Sequence, residues 1–222
     1  MAWDGVPGDD AIYFAQNRQL DGWDAQQRVE GVGTSDRPAL TMFAGRMWMA
    51  WKGIEDDSGL YFSTFDGSAW APQERIEGRG SSHGPTLAVF GNRFYMFWKG
   101  IGDDSRVFSA WIGDQSNAIW QAQREVTYTL AQAGGNVSLN IGTSSRPAAT
   151  TRGDAIVLAW KGVPGDTGIY FASLKDDEWS GQIHLDGVGT SAGPGLVSVG
   201  GRLIMAWKGI PNDTGIYFST LG

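Results

Sequence analysis

The chain states one phrase five times, and this repetition limits its fold more than any other feature. The phrase begins with tryptophan at positions 3, 51, 98, 160 and 207, so successive copies are 48, 47, 62 and 47 residues apart. Glycine follows each tryptophan by two residues, aspartate by six and an aromatic residue by ten. Lysine follows directly in four copies, and Asp4 takes its place in the first. A period of this size is typical of stacked structural repeats.

Each repeat carries four short apolar segments separated by turn residues. In the second unit the predicted strands are residues 38–43, 47–52, 60–64 and 70–76. Gly-rich and Asp-Gly turns between such runs are typical of antiparallel hairpins. No long window shows the apolar spacing of a helix, and the chain has 33 glycines. These features together predict an all-β chain.

Four strands in about 47 residues match one blade of a β-propeller. The sequence therefore predicts a single five-bladed β-propeller domain over residues 1–222. Its approximate units are residues 1–37, 38–84, 85–146, 147–193 and 194–222. The first unit starts at its second strand and the last ends after its third, which gives 18 predicted strands. We expect these two incomplete units to lie side by side and close the ring.

Composition and charge argue against several classes of function. The chain has 17 basic and 24 acidic residues and a net charge of −7, which argues against a nucleic-acid partner. It has no cysteine, so disulfides, thiolate nucleophiles and cysteine zinc sites are excluded. No apolar run is long enough for membrane insertion. Met1–Gly5 lacks the features of a signal peptide, so we expect none in this chain. A soluble protein is predicted; its compartment and any homo-oligomer are left open.

The recurring tryptophan, lysine and aspartate allow two interpretations. The tryptophans are wedges between blades and the aspartates are turn residues that bond their own backbone. Alternatively, they form pockets where a sugar stacks on tryptophan and its hydroxyls meet lysine and aspartate. The two Gly-Thr-Ser-x-Arg-Pro connections add an arginine each. The candidate carbohydrate-binding residues are Trp51, Lys52, Asp57, Trp160, Lys161, Asp166, Trp207, Lys208, Asp213, Arg37 and Arg146.

Motifs for catalysis are not evident. The two histidines, His83 and His184, are not repeated, and no nucleophile elbow, phosphate loop or zinc-protease motif occurs. The Gly/Asp loops lack the carboxylate spacing of calcium sites. Two carboxylates placed for glycoside cleavage remain open. Because the chemistry repeats instead of breaking the symmetry, we predict a non-enzymatic binding protein without metal or cofactor.

Units of this length with tryptophan and Asp-Gly turns resemble the β-propeller lectins. Their count and period are similar to the five-bladed tachylectin-2 type, and the arrangement of sites would be similar to fungal fucose-binding propellers. The segment from Ser63 to Trp70 resembles the Asp-box of sialidase-type propellers, with the aspartate displaced by one. This resemblance implies a multivalent lectin with glycan partners. The alternatives are a protein-binding scaffold and a glycoside hydrolase or sialidase-like fragment. The recurring Arg37 and Arg146 do not allow the sialidase arginine triad to be assigned, which argues against sialidase activity.

The third unit breaks the pattern. Extra length falls around Asp114–Asn117 and within Thr127–Asn140, the second forming either a surface loop or an outer hairpin. Arg106 replaces glycine or alanine, Phe108 replaces tyrosine, and Ser109 replaces phenylalanine. Trp111 lies on the same strand face as Ser109 and could refill the lost volume. We expect fewer working sites than blades, with the one around Trp98–Phe108 absent or altered.

Overall fold

The computed structural model describes residues 1–17, 22–113, 119–133 and 135–221. All regular secondary structure in these ranges is β-strand, which confirms the all-β prediction. Within the same ranges, no helix has the length and apolarity needed to cross a membrane. The chain divides into two compact bodies, Met1–Pro85 and Thr86–Gly222. The division falls at the boundary between the second and third repeat units.

The first body contains two antiparallel sheets, one for each of its repeat units. The three-stranded sheet consists of β1 (Ala2–Asp4), β2 (Ala11–Phe14) and β3 (Gln27–Gly33). The four-stranded sheet consists of β4 (Ala39–Phe43), β5 (Arg46–Lys52), β6 (Gly59–Phe65) and β7 (Glu74–Gly80). In both sheets the strands follow chain order, as expected for hairpin connections.

The second body contains the other three units and one added hairpin. The third unit consists of β8 (Thr86–Phe90), β9 (Arg93–Lys99), β10 (Val107–Gly113) and β11 (Arg124–Glu125). The hairpin consists of β12 (Thr127–Gln132) and β13 (Gly135–Asn140). The fourth unit consists of β14 (Ala148–Arg152), β15 (Ala155–Lys161), β16 (Gly168–Lys175), β17 (Glu178–Trp179) and β18 (Ile183–Gly189). The last unit consists of β19 (Gly195–Val199), β20 (Arg202–Lys208) and β21 (Ile216–Leu221).

The fourth strand of a unit lies further along the chain than predicted. In the second unit it is β7 and not residues 70–76, and Trp70 forms only an isolated bridge with Phe65. The pairing of β6 with β7 shifts register between Gly59 and Tyr61. Gly78 has φ of 70° at this bulge, a conformation that favours glycine. The sequence signal for a turn at Asp66-Gly67 was correct, but the irregular segment after it is longer than a tight hairpin.

The longer insertion of the third unit is the β12–β13 hairpin, so of the two predicted forms the outer hairpin is confirmed. It begins after the buried Val126 and ends before Gly142, which bridges Arg106. In the second unit the equivalent bridge joins Gly80 to Gly59 across the bulge. The hairpin therefore replaces the bulge. The described residues form 21 strands, compared with the 18 that were predicted. The three additional strands are the two of this hairpin and the two-residue strand β17. The predicted insertion at Asp114–Asn117 lies outside those residues.

The core lies between consecutive sheets. In the first body, Ile12, Phe14 and Val29 of the first unit form one buried cluster with Met49, Trp51 and Phe65 of the second. In the second body the inner strands of consecutive units are neighbours, and the Ala149 N–H donates to Thr86 Oγ1 at 3.1 Å. We call the contact zone between two consecutive units a seam. Where the side chains of the two units do not fill a seam, a cavity remains.

Candidate functional site

The fixed glycine, aspartate and aromatic positions form one hydrogen-bonded turn. In the second unit Asp57 Oδ1 accepts from the Gly59 N–H at 2.7 Å, and Oδ2 accepts from the Tyr61 hydroxyl at 2.7 Å. The first, fourth and last units repeat both bonds with Asp9, Asp166 and Asp213. A Cβ on Gly53 would lie 2.5 Å from Asp57 Cγ, so the carboxylate needs a glycine at this position.

The repeated tryptophan stacks on the aromatic residue of the same turn. The ring centroids of Trp51 and Tyr61 are 6.2 Å apart, with 19° between the planes. All five units contain this stack, with centroids 6.1 to 6.4 Å apart. Trp51 and Trp160 are fully buried, and Trp207 is 8% exposed. These rings fill the core between sheets.

The repeated lysine ties the turn to the connection that precedes its unit. Lys52 Nζ donates to Ser35 Oγ at 2.7 Å and to the Asp57 carbonyl at 3.1 Å. Lys161 makes the same pair of bonds at 2.8 and 2.7 Å. Both side chains are buried, and burial lowers the pKa of Lys161. Lys208 is exposed and donates to Ser191 Oγ at 2.8 Å.

Charge in the turn is stabilised by local partners. The Tyr61 hydroxyl is the largest of the groups that lower the pKa of Asp57, and the bond to Asp57 raises the pKa of Tyr61. The Gly168 N–H is the main group lowering the pKa of Asp166. Both aspartates are therefore charged at neutral pH and use their oxygens inside the turn.

The third unit keeps this turn with different residues. Phe108 has no hydroxyl, and Arg106 instead donates to Asp104 through its N–H, its Nε at 2.9 Å and its Nη2 at 2.8 Å. Arg106 also pairs with Glu125 and lies over the Phe108 ring, 5.2 Å from its centroid. The two substitutions compensate each other, because the arginine supplies the donors that tyrosine lacks.

The two predicted arginines lie on the connections between units. Arg37 is exposed and Arg146 is half-buried. Each connection bonds to the next one: the Gly84 N–H donates to Asp36 Oδ2 at 2.7 Å, and the Gly193 N–H donates to Ser145 Oγ at 2.9 Å. The structure brings each predicted Trp, Lys and Asp together in one turn, but their polar atoms mostly bond to one another and to the backbone. Direct sugar contact by these residues stays a prediction.

A pocket lies at the seam between the third and fourth units. In the seam of the first two units, Phe14 packs against Phe65 and Trp70, with centroids 5.6 and 5.7 Å away. Counting along the repeat, Leu174 and Trp179 replace Phe65 and Trp70 at the later seam, whereas Ser109 replaces Phe14. A pocket of about 560 Å³ is left there. Directly across the sheet from Ser109, Phe97 takes the position that is alanine in the other units. It is fully buried, and its ring packs edge-on against Trp179 with centroids 5.8 Å apart. The phenyl ring has therefore moved to the neighbouring strand, and the pocket remains beside Ser109.

Trp111, which was expected to refill this volume, lines the pocket instead. The Arg93 guanidinium lies over its ring, 4.3 Å from the centroid, and also pairs with Asp177 at 2.8 Å. The same arginine donates to the Tyr95 hydroxyl at 3.2 Å. Arg93 thus fixes two aromatic walls and one acidic side chain of the pocket.

One part of the pocket is aromatic and the other is polar. The ring-bearing walls are Tyr95, Trp111, Tyr128 and Trp179, and the polar rim includes Arg124, Glu125, Asn136, Asp177 and Glu178. Arg124 and Glu178 make no ion pair within the described part of the chain. A surface of this kind suits a neutral ligand with both apolar faces and hydroxyl groups.

Sequence reasoning missed Tyr95, Tyr128 and Trp179 as site residues. Their signal was indirect, because they belong to the one seam where the repeat loses its phenylalanine and gains a hairpin. No group of three or more acidic or histidine side chains is arranged for a metal ion within the described ranges.

The sequence matches no protein-family model and no curated protein. Solved structures match over almost the whole chain. The AofleA protein of Arthrobotrys oligospora has 9% identity and a TM-score of 0.64, over 96% of this chain and 66% of that one. The Aleuria aurantia lectin, a six-bladed β-propeller that recognises fucose, has 12% identity and a TM-score of 0.61, over 99% and 73%. The intramolecular trans-sialidase of Ruminococcus gnavus has 12% identity and a TM-score of 0.70, over 96% and 50%.

These similarities show that the chain has a β-propeller fold. The predicted resemblance to fungal fucose lectins and to sialidase-type propellers is confirmed at the level of the fold. The chain spans less than two thirds of the length of AofleA and half that of the trans-sialidase. Both lectins and enzymes occur among the similar structures.

Proposed function

We propose that this chain is a non-enzymatic, carbohydrate-binding propeller of five repeat-built blades. We also propose that the pocket at the seam of the third and fourth units binds saccharide. The observation that carries this proposal is the aromatic-walled pocket of about 560 Å³ that Ser109, Trp111 and Trp179 line. Small-molecule pockets are typically about 300–1,000 Å³ with a few placed polar groups. The fold shared with known lectins supports the same function.

The pocket is organised before a ligand arrives. Arg93 holds Trp111 and Asp177, and Arg106 holds Glu125. Fixing these side chains in advance lowers the entropy cost of binding. The apolar face of a sugar ring would stack on Trp111 or Trp179, while Arg124 donates to its hydroxyls and Glu178 accepts from them.

Multivalent binding is a further part of this proposal. Arg28 and Arg75 lie exposed, directly across the sheet from Tyr13 and Tyr61. In the fourth unit His184 has this position and packs on Tyr170 at 5.0 Å. These repeated aromatic–basic pairs are candidates for shallow sites with Kd of about millimolar to tens of micromolar. Several weak sites on one ring would raise avidity by about 10²–10⁴.

Glycoside hydrolysis is not proposed. Of the carboxylates on the pocket rim, Glu125 and Asp177 are each held in an ion pair with arginine. Glycoside cleavage uses a pair of carboxyl groups placed on either side of the scissile bond, and these two are engaged by arginine instead. Release of chromophore from nitrophenyl glycosides by the purified chain would contradict this part of the proposal.

A protein-binding scaffold is the second candidate, because each repeated loop exposes an aliphatic side chain at its tip. The exposed fractions are 74% for Val6, 47% for Ile54, 56% for Ile101, 43% for Val163 and 49% for Ile210. Exposed apolar side chains mark an interaction surface when they form one contiguous patch. This candidate takes priority if the parent binds no glycan on a broad array.

The test of the main proposal is a glycan array followed by calorimetric titration of the best saccharide. Trp111→Ala is expected to weaken binding at least tenfold. Trp23→Ala is the matched control, because Trp23 is 54% exposed and lies outside the pocket. Equal binding by the parent and a folded Trp111→Ala variant would refute the assignment of the pocket.

A further inference from the structure

The seam between the fourth and last units contains an apolar cavity of about 280 Å³. Phe171 and Leu221 line it, and by repeat position they correspond to Phe14 and Phe65. At the seam of the first two units the side chain of Trp70 fills this place, 5.7 Å from Phe14 and 5.1 Å from Phe65. Trp207 lines the cavity, but none of the described residues places a tryptophan at the repeat position of Trp70. The cavity therefore has the position of an indole ring.

Among the described strands, the one beside the cavity has a partner on its inner side only. β21 pairs there with β20, whereas its counterpart β6 pairs with both β5 and β7. Ile216 is 73% and Phe218 75% exposed, although the equivalent Leu60 and Phe62 are at most 4% exposed. The cavity and the free strand edge are thus adjacent, and an unpaired edge is a template for another strand.

We propose that this edge and cavity form a docking site for an extended segment with the chemistry of the repeat's own fourth strand. Its tryptophan enters the cavity, and its backbone pairs with β21 by strand addition. The expected register follows from the second unit, where Phe65 bridges Trp70 and Tyr61 is opposite Arg75. Leu221 would then lie opposite the incoming tryptophan, and Tyr217 opposite a basic residue.

Polar contacts in the filled seam support this partner. Ser63 Oγ donates to the Ala71 carbonyl at 2.7 Å, just after Trp70 in the chain. Ser219 holds the same repeat position as Ser63 and lines the cavity. The site thus offers an apolar hole, a serine donor and a strand edge in the order that such a segment needs. This inference is independent of saccharide binding, which concerns a different seam.

The experiment uses a fluorescein-labelled peptide of residues 66–80 and the purified chain. Fluorescence anisotropy is expected to show saturable 1:1 binding. A peptide with Trp70→Ala should bind at least tenfold more weakly, because the indole no longer fills the cavity. On the protein side, Leu221→Lys places a charge at the cavity; Leu221 is 51% exposed, so the fold should tolerate it. That variant should also bind at least tenfold more weakly while its melting curve is unchanged.

Hydrogen exchange gives a second readout. The outward-facing amides of β21 should exchange quickly in the chain alone and slow down when the peptide is added. Two results would overturn the proposal: equal affinity of the parent and Trp70→Ala peptides, or no measurable binding by either. Protection of those amides without peptide would also overturn it, since the edge would then already be occupied.

Discussion

The replacement Ser109→Phe tests the seam argument most directly. It adds a phenyl ring to the pocket that Ser109, Leu174 and Trp179 line, next to Phe97, which already packs on Trp179. Burying a phenylalanine side chain stabilises by about 1.5–3 kcal/mol. The change removes the Ser109 hydroxyl, whose bond to the Arg124 carbonyl is long at 3.5 Å. That loss costs no more than about 0.5–1.5 kcal/mol. The net gain should be about 0–2.5 kcal/mol.

For a chain of this size, 1 kcal/mol shifts Tm by about 2–4 °C, so Ser109→Phe should leave Tm unchanged or raise it by up to roughly 10 °C. Circular dichroism melting curves measure this, and calorimetric titration with the array saccharide measures binding. The variant should lose saccharide binding because the ring occupies the pocket. Ser109→Ala is the control, since it removes the hydroxyl without filling the volume and should keep most of the binding. A stabilised Ser109→Phe variant that still binds would refute the site. A Tm lowered by several degrees would refute the conclusion that the pocket beside Ser109 has room for a phenyl ring.

Three further predictions concern the turn, its pH dependence and the ring. The double variant Arg106→Gly with Phe108→Tyr should have a free energy of unfolding within about 1 kcal/mol of the parent's. Arg106→Gly alone should lose more stability, because it removes the donors to Asp104. A double-mutant cycle based on denaturant unfolding measures the coupling. The lowered pKa of each turn aspartate contributes stability that is present above its ordinary pKa of 3.8 and is lost as pH falls through the lower folded value. Deleting Met1–Gln27 should lower solubility or cooperativity if the first and last units close the ring; a truncated chain that melts as sharply and as high as the parent would exclude closure.

The sequence by itself determined the repeat, the all-β class and the resemblance to propeller lectins. These follow from local chemistry, because glycine, aspartate and tyrosine at fixed spacing form the same turn wherever they recur. The departures at Arg106, Phe108 and Ser109 were also visible. Their separate consequences were not, since the first two restore a turn within one unit, whereas the third is paired across the sheet with Phe97, which packs on Trp179 of the next unit.

Only the tertiary structure decided how the seams are filled. A ring such as Trp70 packs against Phe14, which lies 56 positions earlier, and no local pattern reports whether such a pair is complete. The structure also showed that Lys52 and Asp57 use their polar atoms inside the turn, as burial leaves few other partners. The aromatic walls of the pocket come from two units and an inserted hairpin, and folding alone brings them together.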